Sequence, residues 1–166
     1  MTPKTMSPSS QLLKEKNTDP KPTVGGGRAR GGYDPGMATF LHTMVRITDP
    51  EKSRAFYEAL GFTFDRDMDI VRDGQLEATN YFFSLGDHES VLELTFNHDG
   101  RSYELGTGYG HIAVGVDDLD GTLERLAGQG IEPERPPYQV REGGSRLCFV
   151  QDPDGYRIEL IDRSGR

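Results

Sequence analysis

A set of residues recurs along this chain at a fixed offset, and that repetition restricts the fold more than any other feature. His42 plus 69 is His111, Asp49 plus 69 is Asp118, and Gly61 plus 69 is Gly130. Each histidine opens an apolar run of strand character, FLHTMVRI over 40–47 and GHIAVGVD over 110–117. Each aspartate then stands where a helix N-cap is expected, and each glycine where that helix should stop. In the first helix Thr48 competes with Asp49 for the cap and Pro50 sits in the first turn. Ala55, Phe56, Ala59 and Leu60 supply the apolar stripe. Strand candidates follow at FTFDRD, NYFFSL and SVLELTFN in the first half, and near IEPER, SRLCFVQD and YRIELID in the second, separated by Gly/Asp turns. The expectation is an α+β protein of two tandem βαβββ modules, about 39–98 and 108–163.

Each half also carries a glutamate inside a late apolar run, Glu93 in VLELTFN and Glu159 in YRIELID. Here 93 plus 66 is 159, so the second half is three residues shorter, as loop trimming would make it. A carboxylate among Leu92, Leu94, Ile158 and Leu160 is costly to bury unless a cation accompanies it. Two histidines and two glutamates at equivalent positions form a mixed nitrogen and oxygen set suited to a divalent transition metal. His42, Glu93, His111 and Glu159 are therefore the candidate metal-binding residues.

Composition narrows the rest. Residues 1–36 hold six Lys or Arg against three Asp or Glu, a net +3, and the remaining chain holds 13 against 24, a net −11, which together return the overall −8. An acidic body of this kind argues against binding a nucleic-acid backbone. No apolar run approaches the roughly 20 residues that span a bilayer, and neither a membrane partner nor a secretory signal is expected. A single cysteine, Cys148, rules out an internal disulfide and a Cys-rich zinc site, and a cytoplasmic location fits it. Residues 1–36 contain five of the ten prolines and a GGG run with almost no apolar periodicity. They read as a disordered leader to a domain over 37–166, with Met37 a candidate alternative start. GTGYG lacks the spacing and context of a dinucleotide-binding loop, and DDLDG does not register with a calcium loop. His88 and His98 lie in polar, turn-like stretches and read as surface residues. Tyr103 and Tyr109 read as packing for the segment between modules.

Taken in order, HTMVRITDPEKSRAFYEALGF, VLELTFN, YELGTGYGHIAV and FVQDPDGYRIELI resemble the glyoxalase I family of the vicinal oxygen chelate superfamily, over about 39–163. That resemblance implies paired βαβββ modules and puts the family's four metal ligands on His42, Glu93, His111 and Glu159. It implies a homodimer in which the first-half pair of one subunit meets the second-half pair of the other. It implies isomerisation of the methylglyoxal–glutathione hemithioacetal to S-D-lactoylglutathione through an enediolate, with Glu159 as the main base beside Glu93. Six ligands in all, four from protein and two substrate oxygens, suit Ni²⁺ or Co²⁺ and also admit Zn²⁺; the compact spacing between the histidines resembles the nickel-using members. Arg46 follows His42 by four and Asn97 follows Glu93 by four, so on alternating strands each shares a face with its partner. Both match glutathione-contacting positions of the resembled family. The basic residues before the final strands are Arg141 and Arg146 in QVREGGSR rather than lysines, and a glycine-rich loop makes Arg141 the candidate to close over the ligand. Three other readings belong to the same superfamily. A non-catalytic small-molecule-binding module would lack the metal set, a ring-cleaving dioxygenase would use two histidines and one carboxylate, and an acyl-CoA epimerase usually carries glutamine where Glu93 stands.

Overall fold

The computed structural model describes residues 38–165, and the expected leader lies outside them. The elements run β1 (Thr43–Ile47), α1 (Pro50–Ala59), β2 (Thr63–Arg72), β3 (Gln75–Leu85) and β4 (His88–Asn97), then β5 (Ile112–Val116), α2 (Leu119–Ala127), β6 (Tyr138–Gln139), β7 (Arg146–Gln151) and β8 (Arg157–Asp162). This is βαβββ twice. The strands form two four-stranded sheets, ordered β1-β4-β3-β2 and β5-β8-β7-β6, with β1 parallel to β4 and β5 parallel to β8. The duplicated sequence is therefore a duplicated topology.

The helices start where their caps require. Asp49 accepts from the backbone N–H of Lys52, and Asp118 from that of Gly121, which satisfies one otherwise orphaned donor at each N-terminus. Past the helices, Gly61 and Gly130 take φ of 96° and 77°, a region closed to most side chains, and redirect the chain out of the helix. In α1 the buried stripe is Ser53, Phe56, Tyr57 and Leu60, whereas Ala55 is exposed. Helical spacing from Phe56 selects Ser53 and Leu60, and the larger Tyr57 takes the place expected of the alanine.

Three strand expectations need correction. Phe40, Leu41 and His42 precede β1, and Phe40 and Leu41 are 72% and 69% exposed rather than core. The strands β2 and β3 extend well beyond FTFDRD and NYFFSL, because Asp73 and Gly74, both at positive φ, make a two-residue hairpin turn that lets the pairing run on to Arg72↔Gln75. IEPER is not a strand; the pairing falls on Tyr138 and Gln139 instead. Pro133, Pro136 and Pro137 lack the N–H that a ladder needs, although Glu134 still donates one backbone bond to the Phe149 carbonyl.

One apolar cluster draws on both modules: Val45, Ile47, Phe56, Tyr57, Leu92 and Leu94 from the first, with Val114, Leu119, Leu126, Cys148, Val150, Ile158 and Leu160 from the second. Cys148 is fully buried and burial pushes its thiol up, which keeps it inert. The β7–β8 turn, DPDG at 152–155, is bolted onto the first module. The Tyr57 hydroxyl donates to Asp152 at 2.9 Å, Thr48 donates to Asp154 at 2.6 Å, and the Arg46 backbone N–H donates to the Tyr156 hydroxyl at 3.3 Å. Asp152 in turn accepts from the backbone N–H groups of Asp154 and Tyr156.

Candidate metal centre

In each sheet the residues that alternate with the core face form a second face, and each carries one of the two glutamates. On the first sheet the register aligns Met44, Glu93 and Phe82 in one row and Arg46, Thr95 and Asn80 in the next. On the second it aligns Ala113, Glu159 and Phe149, then Gly115, Ile161 and Leu147. His42 and His111 each stand one residue ahead of their module's first strand, which lets the ring reach across to the neighbouring strand's glutamate.

That reach closes two pairs. His42 Nε2 lies 2.8 Å from Glu93 Oε2, and His111 Nε2 lies 3.2 Å from Glu159 Oε2. Both imidazoles meet the same carboxylate oxygen through the same ring nitrogen, so the two halves reproduce each other in detail. The glutamates are largely buried and the histidines part exposed, with side-chain exposures of 10% and 15% against 36% and 41%. No hydrogen-bond partner for either remaining ring nitrogen is found among the described residues; aromatic contacts flank the rings instead. His42 packs edge-on to Phe82 at 5.9 Å and His111 to Phe149 at 5.4 Å. Each of those phenylalanines also has a guanidinium over its ring, Arg66 at 3.8 Å and Arg157 at 3.9 Å from the centre.

The donor spacing fits a cation. Two ligands about 2.1 Å from one metal stand roughly 3.0 Å apart at a right angle and roughly 3.4 Å apart at the tetrahedral angle. The observed 2.8 and 3.2 Å bracket the right-angle value. Neutral imidazole and carboxylate are also the donors a borderline divalent ion accepts. Within one chain, however, the pairs stay separate: among the described residues no group of three or more His, Cys, Asp or Glu side chains is placed to hold a metal.

The two halves differ in what surrounds the glutamate. Thr95 Oγ1 lies 3.2 Å from Glu93 Oε1 and 3.1 Å from Asn80 Oδ1. Glu93 thus meets His42 on one oxygen and, on the other, the Thr95 hydroxyl, whose single proton it shares with Asn80 Oδ1. The equivalents of Thr95 and Asn80 beside Glu159 are Ile161 and Leu147, which offer no hydrogen bond. Sequence alternation marks Thr95 as a neighbour of Glu93, but Asn80 becomes visible only once the β3–β4 register is known.

Farther along the same face of the first sheet stand Arg46 and Asn97, and Tyr103 joins them. Asn97 Nδ2 donates to the Tyr103 hydroxyl at 2.5 Å, and the Arg46 guanidinium lies 5.9 Å from the centre of the Tyr103 ring. Tyr109, by contrast, packs edge-on to Tyr156 at 5.2 Å, as a packing residue should. Arg141 is exposed on the β6–β7 loop and joins neither pair. Arg146 is committed elsewhere, in a two-armed pair with Asp120 at 2.7 and 2.8 Å. The other surface histidine of interest, His98, bonds Thr79 at 2.9 Å at the far end of β4.

Known proteins share this architecture. A model of the Glyoxalase/Bleomycin resistance protein/Dioxygenase superfamily matches residues 39–160. A probable lactoylglutathione lyase of Synechocystis is 38% identical over 127 residues, 76% of this chain and 96% of the relative. The crystal structure of glyoxalase I from Zea mays is similar with a TM-score of 0.67 and 34% identity, over 75% of this chain and 44% of the maize chain. The trypanothione-dependent glyoxalase I of Leishmania major is similar with a TM-score of 0.62 and 36% identity, over 76% of this chain and 87% of that one. This chain thus spans almost the whole Synechocystis relative and less than half of the maize chain. No helix among the described residues is long and apolar enough to cross a membrane. Duplicated βαβββ modules, a His–Glu pair in each, and relatives of this identity lead to one assignment: the chain belongs to the glyoxalase superfamily, within its lactoylglutathione lyase (glyoxalase I) group of enzymes.

Proposed function

We propose that this protein isomerises the hemithioacetal of methylglyoxal and glutathione to S-D-lactoylglutathione, in a homodimer whose sites each combine His42 and Glu93 of one subunit with His111 and Glu159 of the other. The observation that carries the reading is the pair of His–Glu contacts at equivalent positions, each supplying half of a four-ligand set. Because one chain leaves these halves apart, a second copy is the natural source of the missing half. The presence of glutamate at 93 favours this activity over an epimerase. Four protein donors also favour it over a ring-cleaving dioxygenase, which keeps sites open for oxygen.

A divalent metal bound by these four residues would supply Lewis-acid stabilisation of charge on the two neighbouring substrate oxygens as the enediolate forms. The proton work falls to the carboxylates. One takes the proton from the carbon that bears sulfur, leaving the enediolate, and returns it to the adjacent carbon, so that the hydroxyketone becomes a hydroxythioester with no net redox change. Glu159 suits this part because, among the described residues, only His111 hydrogen-bonds it, whereas the Thr95 hydroxyl also reaches Glu93. Arg46, Asn97 and Arg141 would bind the glutathione moiety. We favour Ni²⁺, with Co²⁺ next and Zn²⁺ admissible, on the set of four protein and two substrate donors and the compact modules. A cytoplasmic setting accords with the lone buried Cys148. Metal-stripped protein should lack isomerase activity, measured as thioester absorbance, and should recover best with Ni²⁺ or Co²⁺. An apo form as active as the reconstituted one contradicts the reading. Assaying methylglyoxal with glutathione and with other thiols in the same plate identifies the thiol.

A further inference from the structure

Tyr103 lies in the segment between the modules, outside every helix and strand, yet it gathers residues from two different strands. Its phenol oxygen accepts from Asn97 and carries one proton of its own. No group among the described residues accepts that proton. Arg46 on the same face is half-buried and has no carboxylate partner among the described residues, while Arg54, Arg72, Arg101, Arg146 and Arg157 are all paired with acids. A guanidinium, an amide and a phenol O–H therefore converge with no acid among them, on a body whose composition is strongly acidic. A donor-rich, acceptor-poor group of this kind is complementary to an anion.

Its position adds a length. Asn97 follows Glu93 by four residues along β4, about 13 Å of strand. An extended tripeptide reaches roughly 10 Å, so a thiol-linked peptide whose sulfur end sits at the Glu93 pair brings its far end to Tyr103. Resting on the function proposed above, we infer that Tyr103 is a substrate-positioning residue. Its O–H donates to a carboxylate of the glutathione moiety, Asn97 holds the phenol in place, and Arg46 adds charge beside the ring.

Tyr103→Phe keeps the ring beside Arg46 and removes only the donor; Tyr103→Leu removes both. Calorimetric titration of the metal-loaded protein with S-methylglutathione should show Tyr103→Phe binding roughly tenfold more weakly, the loss expected for one hydrogen bond to a charged group. KM should rise by a similar factor with a far smaller change in kcat, and the melting temperature should hold. Tyr103→Leu should bind more weakly still. Of two S-methylglutathione analogues, amidated at the glycine or at the glutamyl carboxylate, one should lose the same factor against the wild type and nothing further against Tyr103→Phe. If Tyr103→Phe binds as well as the wild type, the role of Tyr103 is wrong while the proposed function stands. If the wild type itself fails to bind S-methylglutathione, both fall.

Discussion

Replacing Glu159 by glutamine should cut kcat by about a thousandfold, within the range that a positioned general base contributes, and should leave S-methylglutathione binding within about threefold. The amide has the shape of the carboxylate and can still face His111, but it cannot take a proton. In the proposed binding mode the peptide moiety would rest on Arg46 and Asn97 of the first sheet and on Tyr103 beside them. Glu159 itself belongs to the second sheet, flanked by Ile161 and Leu147, so its loss leaves those residues intact. The asymmetry around the two glutamates sharpens the expectation. A carboxylate with a threonine hydroxyl on one oxygen and an imidazole on the other is restrained, and Glu93 is in that state. Among the described residues Glu159 has the imidazole alone. Equal losses in turnover and in binding would remove Glu159 from the role of base.

The second large effect is on stability and falls at the module interlock. Asp152→Ala should destabilise the domain by about 3 kcal/mol, because the buried Tyr57 hydroxyl and two backbone N–H groups lose their acceptor together. For a domain of this size that lowers the melting temperature by roughly 10 °C. Burial raises the Asp152 carboxyl above its ordinary range, a shift that outweighs the opposing effects of its hydrogen bonds. A group raised in this way contributes stability below its unfolded-state value, and that contribution is lost as pH rises through the folded-state value. Asp152→Asn keeps an acceptor oxygen and carries no charge, so it should cost far less than the alanine, with the difference read by thermal melts at neutral pH. A melting temperature for Asp152→Ala within two or three degrees of the wild type would show that the turn does not couple the modules.

Much of the site could be read from the chain because a duplication writes each functional position twice. The matched His42 and His111, and the near-matched Glu93 and Glu159, define equivalent places in equivalent modules, and the structure pairs each histidine with its own glutamate. Capping chemistry located the helix starts at Asp49 and Asp118 for the same local reason. What stayed hidden depends on register and on irregular chain. Asn80 meets Thr95 only because β3 and β4 pair in one register, which no local pattern reports. Tyr103 has no periodicity to place it, and its contacts come from strands that fold back to it. DPDG reads as a generic turn, while the contacts of Asp152 and Asp154 with Tyr57 and Thr48 arise from residues about a hundred positions away. IEPER misled because β-propensity at Ile131 competes with prolines that cannot join a ladder.

The central claim is that two half-sites on different subunits make one metal centre, and subunit mixing tests it most directly. His42→Ala spoils every first-half pair and His111→Ala every second-half pair, so each variant alone should be inactive. In a mixed dimer the intact first half of one chain faces the intact second half of the other. With random exchange half of the dimers are mixed and each holds one sound site of two, so mixing after reversible dissociation should restore about a quarter of the wild-type activity per chain. Mixed dimers that form, as native mass spectrometry would show, yet remain inactive would contradict the shared site.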